Sequence, residues 1–97
     1  MKLQVTARAL LDIEEIAGYL IPLSPQGARN VRAAILASFE DLLLFPRMGR
    51  LQSVALVRKI SAGKYPYLIY YFVDDVAGEI VILTIQHGAR EREYEDR

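Results

Sequence analysis

The 97 residues contain no cysteine, carry twelve basic and twelve acidic side chains, and are 53% hydrophobic. That length supports one hydrophobic core, so residues 1–97 read as a single domain. The missing thiols exclude disulfide frameworks and thiolate metal sites, and no stretch approaches the roughly 18 apolar residues of a membrane span.

Met1-Lys2 is followed at once by Gln4, Thr6 and Arg8, so no secretory leader is visible and a cytoplasmic protein is expected. Leu3-Gln4-Val5 alternates briefly and predicts a short strand. Thr6 then stands where a hydroxyl caps a helix by accepting from an early backbone N–H. Leu10, Ile13, Ala17 and Leu20 recur at helical spacing, with Arg8, Asp12 and Glu15 assigned to other faces. Pro22 ends this helix. The adjacent Glu14-Glu15 pair diverges around the helix axis and reads as a solvated face, not as an acid–base pair.

Ser24-Pro25 predicts a second helix start, with serine as N-cap and proline in the first turn. Ala28, Val31, Ile35, Phe39 and Leu42 mark one face, widened by Ala34 and Ser38, and Pro46 stops the helix near Leu44. The short connection implies an antiparallel hairpin of helices whose one-sided apolar faces must lie on a sheet. Phe45 to Arg50 holds a proline and a glycine and predicts a rigid turn.

Val54 to Ile60 reads as a strand, with Arg58 and Lys59 pointing to opposite sides. The stretch Tyr65-Pro66-Tyr67-Leu68-Ile69-Tyr70-Tyr71-Phe72-Val73 is apolar or aromatic after its proline and stops at Asp74-Asp75. Such a run predicts a central strand packed on both faces. Only Tyr65 and Tyr67, near its start, are expected to reach the surface. Glu79 to His87 forms the last strand, with Ile80, Ile82 and Thr84 on one face and Val81, Leu83 and Ile85 on the other. The short links imply an antiparallel meander. The expected architecture is α+β: a short N-terminal strand, an antiparallel helical hairpin and a three-stranded meander, in the order β-α-α-β-β-β.

Charge is balanced in sum but not in place. Residues 42–73 hold Arg47, Arg50, Arg58, Lys59 and Lys64 and no acidic residue, whereas residues 74–97 hold seven acidic and three basic ones. An acid-free third suits an anionic partner, either nucleic acid or an acidic protein segment. It equally suits a sheet edge kept soluble by lysine and arginine. His87 is the only histidine and precedes Arg90, Arg92 and Tyr94. An imidazole beside guanidinium groups fits phosphoryl chemistry, and a lone histidine at a strand end also fits a purely structural role. One histidine among scattered carboxylates lacks metal-ligand spacing, and there is no glycine-rich phosphate loop. Neither a metal nor a cofactor is expected.

Six pieces of the chain, in order, resemble the RelE/ParE superfamily, the toxin halves of bacterial toxin–antitoxin pairs, also called plasmid stabilisation proteins. They are Ala9-x-x-Asp12-x-x-x-Ile16-x-x-Tyr19-Leu20, Ser24-Pro25-x-x-Ala28, Leu43-x-x-Pro46-x-x-Gly49-Arg50, Arg58, Tyr65-Pro66-Tyr67-Leu68-Ile69-Tyr70-Tyr71, and Ile82-Leu83 with His87-Gly88-x-Arg90. The resemblance implies the same β-α-α-β-β-β order that the periodicity predicts. It also implies one of two targets. RelE-like members cut messenger RNA on the ribosome with basic residues on the middle strands and an Arg with a Tyr or His near the C-terminus. ParE-like members inhibit DNA gyrase and lack much of that set. Arg58, Lys59, Arg90 and Tyr94 match the nuclease pattern in part, so Arg58, His87, Arg90 and Tyr94 are the catalytic candidates if the chain is a nuclease. Tyr67 stands where the nucleases carry a core-strand arginine, Tyr94 lies closer to Arg90 than that pattern implies, and the Pro-Tyr-Leu-Ile-Tyr wording is ParE-like. A gyrase-binding toxin that is not an enzyme is therefore expected, with an inactive binding module as a further alternative.

Candidate target contacts are Arg47, Arg50, Arg58, Lys59, Lys64, Arg90 and Arg92. The small residues Ala9, Ala17, Ala28 and Ala34 leave room for a groove along the hairpin, and the sheet has an open edge. The resemblance implies that an antitoxin's C-terminal segment wraps the toxin and that such pairs can assemble further. Ala9, Ile13, Ala17, Leu20, Ala28 and Arg58 are the candidate antitoxin contacts.

Overall fold

The computed structural model describes residues 1–90. Strand β1 (Lys2–Val5) leads into helices α1 (Ala7–Leu20) and α2 (Pro25–Leu44). Strands β2 (Arg50–Leu51), β3 (Val57–Ser61), β4 (Tyr67–Asp74) and β5 (Glu79–His87) follow, and Gly88–Arg90 makes a 3-10 turn. The sheet order is β1-β5-β4-β3-β2, with β1 parallel to β5 and every other pair antiparallel. This is the expected α+β fold. The meander gains a fourth strand, β2, whose two residues pair Arg50 with Lys59 and Leu51 with Arg58.

Both helices begin where their caps require. Thr6 accepts from the Ala9 N–H and Ser24 from the Gly27 N–H, which satisfies donors that have no partner within the first turn. Pro25 opens α2, and the helix ends at Leu44, two residues before Pro46. Val31, Ile35, Phe39 and Leu42 from α2 join Tyr67, Ile69, Tyr71, Ile80, Ile82 and Ile85 from the sheet in one core. Among the described residues, no helix is long and apolar enough to cross a membrane.

Several details depart from the sequence reading. On α1 the sheet-facing positions are Ala9, Asp12, Ile13, Ile16 and Leu20, so Asp12 is buried and Leu10 is exposed. The reason lies at the sheet edge. Strand β5 outruns its neighbour β1, so the backbone of β5 beyond Ile82 has no strand beside it there. The start of α1 takes over. Thr6 Oγ donates to the Leu83 carbonyl (3.0 Å), and the Asp12 carboxylate accepts from the Ile85 N–H (2.9 Å) and the Thr84 hydroxyl (2.6 Å).

A register shift between Tyr70 and Tyr71 leaves Leu83 as an extra residue in β5, since Tyr71 faces Ile82 while Tyr70 faces Thr84. The simple alternation expected for β5 therefore breaks, and Ile85 joins Ile80 and Ile82 on the helix side. Leu83 instead packs with Val54, Val57, Leu68 and Tyr70 on the opposite face of the sheet. The strand expected from Val54 begins only at Val57. Residues 52–56 must form the β2–β3 connection, closed by Gln52 N–H to the Val57 carbonyl (2.8 Å) and Val57 N–H to the Val54 carbonyl (3.2 Å). Tyr67, expected near the surface, is buried, and Tyr65 is half-buried.

Candidate functional site

The basic residues of the acid-free third fall at two separate places. The larger group surrounds β2. Here the chain leaves α2, passes over the ring of Tyr71 and enters the sheet. Tyr71 is fully buried; its hydroxyl donates to the Pro46 carbonyl (2.8 Å) and accepts from the Gly49 N–H (2.9 Å). Burial raises the Tyr71 pKa above the usual phenol value, opposed by the Gly49 bond and by the nearby Arg58 charge. Arg58 is the cross-strand neighbour of Tyr71, and its Nη1 donates to the carbonyls of Arg47 (3.1 Å) and Gly49 (2.8 Å). Arg58 therefore clamps the turn from beneath.

Arg47 reaches the β4–β5 turn and donates through Nη2 to both carboxylate oxygens of Asp75, at 2.7 and 2.6 Å. Both partners are exposed, so the pair contributes no more than about 1 kcal/mol. Arg50 is exposed and Lys59 half-buried. They oppose each other across β2 and β3, on the face that carries Tyr70 rather than the face under the helices.

The second group sits where β4 begins and β5 ends. The His87 ring meets Tyr67 edge to face, with centroids 5.3 Å apart, and its Nδ1 accepts from the Ala89 N–H (2.9 Å). Burial raises the Tyr67 pKa, and Tyr19 adds to that rise. The Lys64 ammonium lies 5.7 Å from the Tyr65 ring centroid. Arg90 belongs to the 3-10 turn, while Arg92 and Tyr94 lie outside the described residues.

These two groups do not converge. Arg58 faces Tyr71 and His87 faces Tyr67, from strands on either side of β4. At about 3.3 Å per residue and about 4.8 Å between strands, their Cα atoms are about 16 Å apart. A single phosphoryl centre needs its acid, base and cation within hydrogen-bond reach of one reacting group. Among the described residues no cluster of histidine and carboxylates could hold a metal ion.

The helical hairpin offers a different feature. A shallow crevice between α1 and α2 is lined by Ile13, Ile16, Ala17, Ala28, Val31, Arg32 and Ile35. Of the hairpin residues selected from sequence, Ile13, Ala17 and Ala28 border it. Leu20 is half-buried in the core periphery, and Ala9 has no exposed surface. Ala34 faces the β3–β4 turn beside Gly63. Sequence reasoning missed the exposed apolar run Leu44, Phe45, Met48 and Leu51 beside the basic group at β2. Its signal was present: large apolar side chains flanking a Pro-x-x-Gly turn that must lie at the surface.

Comparison with known proteins gives this geometry a family. The model for the ParE toxin of the type II toxin–antitoxin system parDE matches residues 3–92. Toxin RelE2 of Caulobacter vibrioides is 33% identical over 85 residues, covering 88% of this chain and 92% of that one. Among solved structures, a chain of the chromosomal ParDE system from P. aeruginosa superposes with a TM-score of 0.79. It is 26% identical, and the match covers 90% of this chain and 95% of that chain. A chain of the intact E. coli RelBE toxin–antitoxin complex shares the fold with a TM-score of 0.66 at 18% identity, over 94% and 98% of the two chains. The two helices on a five-stranded sheet and the matched span of residues 3–92 agree: this chain is a type II toxin of the RelE/ParE superfamily and belongs to the ParE toxin family.

Proposed function

We propose that this toxin arrests growth by binding DNA gyrase in the cytoplasm and blocking supercoiling, without cleaving RNA. The observation that carries this reading is the use made of Arg58. Its guanidinium is committed to two backbone carbonyls and lies far from His87, so these two candidate nuclease residues do not share one centre. Tyr67, at the place where nuclease relatives carry an arginine, is buried against the core and supplies no cation. Purified toxin in stoichiometric excess is expected to abolish supercoiling by gyrase in vitro while messenger RNA stays intact in arrested cells. Unimpaired supercoiling at that excess overturns the reading.

A ribosome-dependent nuclease is the second reading, favoured by the exposed Arg50 and half-buried Lys59 on the helix-free face of the sheet. It predicts rapid loss of intact messages after induction, abolished by Arg90→Ala.

The family implies a cognate antitoxin, and the crevice between α1 and α2 is the concave apolar surface that suits a segment folding as it binds. Ala17 lines that crevice and is half-buried, so a large side chain there fills it without entering the core. Ala17→Trp is expected to weaken antitoxin binding at least tenfold in titration calorimetry, with growth arrest retained. Affinity within twofold of the parent places the antitoxin elsewhere.

A further inference from the structure

Helix α2 carries apolar residues on two faces, and the core uses only one. Ala28, Val31, Ile35, Ser38, Phe39 and Leu42 are buried against the rest of the chain. On the outer side Arg29, Ala33, Leu36, Glu40 and Leu43 recur at alternating steps of four and three, the spacing of a coiled-coil seam. All five are exposed, and Leu36 and Leu43 keep 44% and 41% of their surface in water. The stripe shares no residue with the crevice between α1 and α2, so occupation of that crevice does not by itself cover it.

Charge identifies what covers it. The first half of α2 holds Arg29 and Arg32 and no acid, while the second half holds Glu40 and Asp41 and no base. This order is the reverse of the one the helix dipole favours, so it does not serve the isolated helix. Nor do the charges satisfy one another. Arg29 and Glu40 lie about 16 Å apart along the axis. Among the described residues none of the four forms an ion pair, and Arg29 donates to the neutral Gln26 side chain instead (2.7 Å).

A second copy of α2 running antiparallel supplies what is missing. With a two-fold axis between Ala33 and Leu36, Ala33 faces the partner's Leu36 and Gln26 faces the partner's Leu43. The same axis sets Arg29 against the partner's Glu40, with Arg32 within a turn of it, and every contact occurs twice. Ala33 is small enough to let the two helices approach closely. A parallel pair would set Arg29 against Arg29 and Glu40 against Glu40, which like charges oppose. A charged residue in a seam costs stability but fixes register and direction.

We infer that the outer face of α2 is a self-complementary surface through which two copies of this toxin pair, with their helices antiparallel and Arg29 opposite Glu40. The pairing does not depend on which target the toxin acts on.

The test follows sedimentation of the purified full chain across the micromolar range. The parent is expected to show a monomer–dimer equilibrium. Arg29→Glu and Glu40→Arg each place like charges opposite one another and should weaken the dimer at least tenfold. An equimolar mixture of these two variants restores opposite charges at both ends of the seam. It should form a heterodimer with affinity within threefold of the parent. Leu36→Gln removes an apolar layer and should also weaken pairing. All three positions are exposed, and melting of dilute samples checks that each variant is folded. A parent that stays monomeric into the high micromolar range overturns the inference. So does a dimer indifferent to the single substitutions, or a mixture that fails to restore pairing, since the contact then lies elsewhere. Loss of antitoxin binding in both charge variants with the dimer intact overturns it too, and assigns the stripe to the antitoxin.

Discussion

Asp12→Ala is expected to lower the unfolding free energy by about 3–5 kcal/mol, read from the urea midpoint at constant slope. Asp12 is 4% exposed, and its carboxylate Oδ2 serves two donors of β5, the Ile85 N–H and the Thr84 hydroxyl. Those donors lie where β1 has ended, so no strand replaces the lost acceptor. Each orphaned buried group costs about 1–3 kcal/mol, and a domain of this size has only about 5–15 kcal/mol in total. Its other oxygen meets Arg8 at 2.8 Å, but the Arg8 side chain is 62% exposed. Arg8→Ala is therefore expected to cost less than about 1 kcal/mol. Asp12→Asn keeps the shape and one acceptor, which can still face Ile85, and should fall between, at about 1–2 kcal/mol. The order Ala, Asn, then Arg8→Ala is the content of the prediction. If Arg8→Ala matches Asp12→Ala, the ion pair and not the strand edge is what the carboxylate serves.

The same residue shows where sequence reading stops. A charged side chain on an amphipathic helix is assigned outward by periodicity, and most are. Asp12 is inward because β5 is longer than β1, a relation between residues some 70 positions apart that no local pattern encodes. Local chemistry was legible where the cause was local. Thr6 and Ser24 cap their helices, Leu44 ends α2, Ala28 to Leu42 supply its buried face, and β5 spans Glu79–His87 as its composition implies. The bulge at Leu83 was not legible, since neither glycine nor proline marks it and only the pairing with Tyr70 and Tyr71 reveals it. Leu56 adopts a φ of 70°, a conformation for which its sequence gives no warning. The candidate site was legible in its composition and not in its wiring. Arg58 was identified as a cation of interest, yet where its guanidinium points depends on carbonyls placed by the turn at residues 47–49.

That turn carries the second large effect. Gly49→Ala is expected to destabilise the fold by about 2–4 kcal/mol and to do so through Tyr71. A Cβ at position 49 would lie 2.7 Å from the Tyr71 Oη, 2.8 Å from its Cε1 and 3.0 Å from the Lys59 carbonyl. None of these can yield cheaply: the ring is fully buried, and Lys59 is part of β3, paired with both β2 and β4. Glycine is needed here for room. Tyr71→Phe keeps the ring and removes only the hydroxyl, leaving the Gly49 N–H and the Pro46 carbonyl without their partner, for about 1–3 kcal/mol. In the double variant the hydroxyl contact is gone and the bonds are already lost, so the two penalties should sum to less than their separate values by about 1 kcal/mol or more. Thermal melts of the parent, both single variants and the double variant measure that coupling directly. Strict additivity would mean that the turn rests on Arg58 and the Met48–Phe45 bond alone. Coupling of the expected sign makes the buried phenol the strut beneath the Pro46–Gly49 turn.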